Sequence, residues 1–278
     1  MTIIAMLGGP ADEVAPQLDC AAAMARKLKT TLTGLVAMPD PANAFMYVSG
    51  PEAVMAGSSG IDAITQAQDE TVAALAVALD AAKKRAGRWL NAEFRHETGS
   101  VGEHAAAAAM LSDALIFPRA AANSSHVLNP AFEHVLMEAR LPLVLASEDG
   151  HTDGPCVIAW DGSSQAARAV RLHLPLIQAY GYAIIVQHPG KIRDRHQVSS
   201  SVSPQALADW LHEERVETKL VEIDGKVSAG LLKVAREHKA GLLVMGAYGH
   251  SRLGELFFGG TSKAMLNGPD VPALALVH

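Results

Sequence analysis

Cysteine is almost absent from these 278 residues: only Cys20 and Cys156 occur, with no CxxC spacing. That argues against a disulfide framework and predicts a reducing compartment, with both thiols as buried spectators. Aromatic residues are only 5%, so Ala, Val and Leu must carry the core. Positive charge is not in excess. The 23 Lys and Arg face 29 Asp and Glu for a formal charge of −6, which argues against a broad surface for nucleic acid or anionic membrane and makes any anion site local. There is no apolar run of eighteen or more residues, so no membrane-spanning helix is expected. The opening MTIIAMLGGPADEV has no basic segment and reaches Asp12 and Glu13 early, which predicts no secretory signal and a cytoplasmic protein. Neither GxxxxGK[ST] nor a GxGxxG opening the first helix is present, so the P-loop and the dinucleotide fingerprint do not apply.

What is present is a chain that repeats itself. Ile3 to Gly9 and Val157 to Ser163 have the same shape, an apolar strand running into a glycine turn. On that match Leu7 stands where Asp161 stands. Each is followed by an alanine-rich stretch of helical spacing, Pro16 to Lys29 and Gln165 to Tyr180, and then by an apolar run, Leu32 to Met38 and Tyr182 to Gln187. Pro16 suits a first helical turn, where its missing amide hydrogen costs nothing. The far ends match as well: Ala114 to Phe117 precedes Leu141 to Leu145 as Leu242 to Met245 precedes Val271 to Leu276. Between them, helices are expected at Ile61 to Leu90, Val101 to Ser112, Pro204 to Glu214 and Val227 to His238, with strands at Glu93 to Glu97 and Glu217 to Ile223. Apolar strands without clean alternation, separated by helices, predict parallel sheets covered on both faces. The polar, glycine-broken stretch Ser147 to Pro155 divides the chain into domains at 1–148 and 154–278. Asp40 to Gly60 and His188 to Ser203 read as excursions from the sheet.

In doubly wound sheets ligands settle beyond the carboxyl ends of the strands. In the second half those ends are Asp161-Gly162-Ser163-Ser164 and the stretch MGAYGHSRLGELFFGGTSK, residues 245–263. Glycine lets a backbone amide approach a phosphate oxygen unobstructed, and Thr261 or Ser262 at a helix start could add a hydroxyl where free amides and the dipole favour an anion. An ionised Asp161 could accept hydrogen bonds from a ribose hydroxyl or an adenine amino group. His250 and Arg252 could reach a phosphate, Arg252 by a charge-assisted contact. The same pattern would also arise from a loop that merely turns the chain and a hydroxyl that merely caps a helix. Ser163 and Ser164 read as caps of the helix from Gln165, and the scattered His188, His196 and His212 have no metal-like pairing.

The spacing Gly246, two residues, Gly249, nine residues, Gly259, followed by Gly260-Thr261-Ser262 and a final Val271-Pro272 strand, resembles the ATP-binding signature of the universal stress protein family. With Asp161 the resemblance covers nearly all of the second half, and the whole chain is similar to the family's tandem members. It implies an α/β fold of two doubly wound, five-stranded parallel-sheet domains, related to the adenine nucleotide alpha hydrolases and packed as a pseudo-dimer through their last strands. It also implies adenine and ribose near Asp161, phosphates over Gly246, Gly249 and Gly259, and a hydroxyl from Ser262. One position departs. The residue after the third glycine is often Ser in the family and is Gly260 here, so that a hydroxyl is lost unless Thr261 replaces it.

In the first half, Pro118 takes the place of Gly246 and Ala121 that of Gly249, and no glycine occurs from Glu103 to Asp149. That domain is expected to keep the fold and to lack the nucleotide site. The function implied is a stress-response protein that binds ATP or AMP, with Mg2+ accompanying the phosphates, in its C-terminal domain, and acts as a regulatory or protective protein rather than an enzyme. Its expected partners are the nucleotide, a protein of unidentified kind and, beyond the internal pseudo-dimer, a second copy. The alternative is an interaction module of the same fold without nucleotide.

Overall fold

The computed structural model describes residues 2–44, 59–191, 202–247 and 260–278. Its first unit runs β1 (Thr2–Met6), α1 (Ala11–Leu28), β2 (Thr31–Met38), α2 (Ser59–Ala86), β3 (Ala92–Thr98), α3 (Val101–Met110) and β4 (Ala114–Phe117). A short 3-10 turn at Arg119–Ala122, α4 (Asn129–Glu133), a π turn at His134–Glu138 and β5 (Leu143–Leu145) complete it. The second unit runs β6 (Cys156–Trp160), α5 (Ser164–Leu172), α6 (Leu174–Tyr180), β7 (Tyr182–Gln187), α7 (Pro204–Glu213), β8 (Glu217–Glu222), α8 (Val227–Glu237), β9 (Leu242–Gly246), α9 (Gly260–Asn267) and β10 (Ala273–Val277).

All ten strands form one sheet in the order β3-β2-β1-β4-β5-β10-β9-β6-β7-β8. Each unit is parallel throughout, and the two join where β5 runs antiparallel to β10, with Leu145 opposite Leu274 and Leu143 opposite Leu276. The antiparallel seam is what two like units related by a two-fold axis must produce. The central strands are apolar on both faces because helices cover both. Ile3, Ile116, Ile158 and Val244 face one core with α1, α2 and α5 to α7; Ile4, Phe117, Val157 and Leu243 face another with α3, α4, α8 and α9. The outer strands differ. β3 and β8 place Glu93, Arg95, Glu217 and Lys219 in partly or fully exposed positions, and charge on an edge strand discourages pairing with another sheet.

Three sequence expectations need correction. Helix α1 starts at Ala11, not at Pro16, which lies inside it and cannot donate to the Asp12 carbonyl; Pro10 takes the flanking position. The stretch from Gln165 to Tyr180 is two helices, interrupted at His173, because Pro175 has no amide hydrogen for the Arg171 carbonyl. The third concerns the repeat itself. Ile3 pairs with Ala114 as Cys156 pairs with Leu242, and the left-handed glycines Gly9 (φ 99°) and Gly162 (φ 76°) then coincide, so Gly8, not Leu7, is the counterpart of Asp161. A strand buried on both faces carries no alternation to fix its register, so matching apolar runs slipped by one residue.

Candidate functional site

In the order β8-β7-β6-β9-β10 the connections diverge to opposite faces between β6 and β9, which makes that crevice the ligand position of a doubly wound sheet. Asp161 follows β6 directly. Its Oδ1 accepts the Ser163 amide at 2.9 Å, closing a turn through Gly162, while Oδ2 has no partner among the described residues. Ser163 then caps α5, its hydroxyl accepting the Ala166 amide at 3.1 Å. The carboxylate is half-buried and held by one oxygen, which leaves the other as an acceptor. Above it the Trp160 indole donates to the Val202 carbonyl at 3.0 Å, and the Val202 amide donates to the Gly162 carbonyl at 3.3 Å. The chain leading into α7 is thereby tied to the end of β6.

Gly246 ends β9 on the other side of the crevice. A Cβ there would stand 2.8 Å from the Gln165 carbonyl carbon and 3.0 Å from the Ala166 nitrogen. The close approach of α5 to β9 is thus sufficient reason for a glycine at this position. Gly260 is the opposite case. It opens α9, a Cβ on it would meet nothing within 4 Å among the described residues, and its φ is not in the left-handed region, so no packing among those residues demands a glycine. Thr261 is half-buried and Ser262 is buried in the first turn of α9. Gly249, His250, Arg252 and Gly259 lie outside the described residues, as does Tyr248. For an adenine nucleotide the described residues offer a free carboxylate oxygen, an uncrowded helix N-terminus and two hydroxyl residues, a donor and acceptor set that fits sugar and phosphate.

The first domain's equivalent crevice, between β1 and β4, is closed from within. Leu128 reaches over Gly8, where a Cβ would be 3.0 Å from its Cδ2. His126 covers Gly9, and its Nε2 stands 2.8 Å from Glu13 Oε2 without hydrogen-bond alignment; its Nδ1 accepts the Leu128 amide at 3.0 Å. From below, Gln17 Nε2 donates to the strand-end carbonyls of Met6 and Ile116, each at 2.8 Å. Leu128 and His126 therefore cover Gly8 and Gly9, and Gln17 takes up both carbonyls. Within Arg119 to Pro130 nothing local in the sequence signals that Leu128 and His126 turn back into the crevice.

Residues 154–276 match the universal stress protein family. The second domain belongs to that family. No curated protein matches the sequence. Among solved structures, a universal stress protein from Archaeoglobus fulgidus DSM 4304 is similar over 99% of this chain and 97% of its own, at a TM-score of 0.66 and 16% identity. That likeness shows that the two-unit fold recurs across the full length of both chains. A universal stress protein from Archaeoglobus fulgidus covers 45% of this chain and 99% of its own at 19% identity (TM-score 0.37). One described as a putative universal stress protein from Pseudomonas aeruginosa UCBPP-PA14 covers 99% and 92% at 12% identity (TM-score 0.47). In the second domain the two strand ends that border the crevice are Asp161 and Gly246, while the first unit presents Gly8 and Pro118.

The buried titratable groups lie away from this crevice. Burial pushes the Cys20 thiol up to about 12 and the Cys156 thiol higher, so neither is a nucleophile at neutral pH. No helix among the described residues is long and apolar enough to cross a membrane.

Proposed function

We propose that the second domain binds an adenine nucleotide, ATP or AMP, and that the protein acts in the stress response as a nucleotide-responsive binding protein. The carrying observation is that, among the described residues, a carboxylate oxygen without a partner, on Asp161, accompanies a glycine that packing does not require, Gly260, at the start of α9. Family membership of residues 154–276 supports the same reading. Asp161 would orient sugar or base through Oδ2. The amides of Gly260, Thr261 and Ser262 would hold phosphate oxygens, aided by the helix dipole. A triphosphate would bring Mg2+ with it, and the bound metal would neutralise part of the phosphate charge. The reading is of recognition without turnover, since no general base is assigned.

An interaction module of the same fold without nucleotide would explain Gly246, because α5 alone excludes a side chain there. It gives no reason for Gly260. Isothermal titration with Mg-ATP separates the two: saturable heat supports binding, and no saturable binding at millimolar nucleotide overturns it. Asp161→Asn is the sharper variant, because its amide oxygen can still accept from Ser163 and keep the turn. Wild-type affinity in a folded D161N protein would remove Asp161 from the site.

A further inference from the structure

The residue after Pro118 ties the two domains together. Arg119 leaves the end of β4 in the first unit and donates to four backbone carbonyls. Nε reaches Ala146 at 3.1 Å, Nη1 reaches Met265 at 3.1 Å, and Nη2 reaches Val271 at 3.2 Å and Pro272 at 2.6 Å. Among the described residues no carboxylate pairs with it. Its planar fork is therefore spent on main chain from three segments, one in its own unit and two in the other, which a single ammonium could not span.

The acceptors are informative. Met265 lies in the last turn of α9, where helix carbonyls have no amide partner and the dipole favours a cation. Val271 and Pro272 enter β10, the strand at the seam with β5. Arg119 thus holds both ends of the α9 to β10 connection. Beside it lies a cavity of about 440 Å³ lined in part by Asp12, Gln17, Arg119, Glu148, Leu266 and Asn267. Side chains do not fill the seam there, and the guanidinium joins its two sides. The group stays charged at neutral pH, since burial lowers its pKa only to about 10 while Glu148 opposes the shift.

We infer that Arg119 is a positioning residue for the second domain's phosphate site: the first domain, having lost its own site, clamps the far end of the helix whose start would face phosphate. The inference rests on the nucleotide reading above. A helix of eight residues has little stability of its own, so loosening its end at Met265 loosens Gly260 to Ser262 as well.

The test uses the full chain with Arg119→Lys and Arg119→Met, and Leu128→Ala as a variant that disturbs the first domain without touching α9. Titration with Mg-ATP and with adenosine is combined with hydrogen exchange of residues 260–267. Both Arg119 variants should weaken Mg-ATP about fivefold to tenfold, the lower part of the range for coupled sites, leave adenosine unchanged and speed exchange in α9. L128A should do none of these. Should R119M fail to fold, R119K carries the test. Equal Mg-ATP affinity, a parallel loss of adenosine affinity, or unchanged exchange in α9 overturns the inference. Failure of the wild-type protein to bind Mg-ATP overturns the nucleotide reading and this effect on affinity together, and exchange in α9 then decides the clamp alone.

Discussion

Leu128 lies over Gly8 in the first domain, its Cδ2 3.0 Å from where a Cβ on that glycine would stand. The counterpart of Gly8 in the second domain is Asp161, whose carboxylate keeps one oxygen without a partner among the described residues. One side chain thus occupies in one unit what a ligand would contact in the other.

Leu128 is buried and its removal leaves a cavity, so Leu128→Ala should cost about 2 to 5 kcal/mol in urea denaturation. It should not create nucleotide binding, because Gly8 brings no acceptor and Gln17 still holds both strand-end carbonyls. Nucleotide saturating two sites in L128A would contradict this.

Gly246→Ala places a methyl 2.8 Å from the Gln165 carbonyl carbon, which is backbone and cannot rotate away. Destabilisation of about 1 to 3 kcal/mol is expected from overpacking, whether or not nucleotide is present. An unchanged denaturation midpoint would mean that the glycine serves only a ligand.

Gly260→Ser should be tolerated, since its Cβ meets none of the described residues within 4 Å at a helix start. A hydroxyl there adds one charge-assisted hydrogen bond to phosphate, so Mg-ATP should bind about threefold to tenfold tighter. Adenosine affinity should not change. If G260S leaves Mg-ATP affinity untouched, Thr261 already supplies that contact or α9 is not the phosphate site.

His173 interrupts the helix pair α5 and α6, where burial lowers its pKa to about 4 against the partial opposition of the Ala169 carbonyl, 2.9 Å from Nδ1. The folded state resists the proton that the unfolded chain accepts near pH 6.5. Its contribution is therefore intact above pH 6.5 and is lost as pH falls toward 4. Between pH 6.5 and 5 the loss is about 2 kcal/mol. Comparing urea midpoints of wild type and His173→Gln at the two pH values checks this, and the variant should show the shallower dependence.

The sequence by itself determined the architecture, because its signals are local. Apolar runs bounded by glycine and proline place the strands: β4 and β7 match their expected ranges, and the other edges shift by a few residues. Helix α1 began earlier because Pro10, not Pro16, supplies the flanking turn, and α5 parted from α6 at a proline the helical spacing had masked. Asp161 and the start of α9 were legible as a candidate site because the glycine spacing and the aspartate after β6 together resemble a family signature, whereas their residue types alone would also fit a turn and a helix cap. Gly249, His250, Arg252 and Gly259 lie outside the described residues. Tertiary structure alone decided the rest. The register of the repeat depended on which face each apolar residue takes, and two covered faces erase that pattern. That Gly246 answers to α5, that Leu128 and His126 fill the first crevice, and that Arg119 reaches carbonyls about 150 residues away depend on packing between distant segments, for which neither spacing nor composition carries a signal.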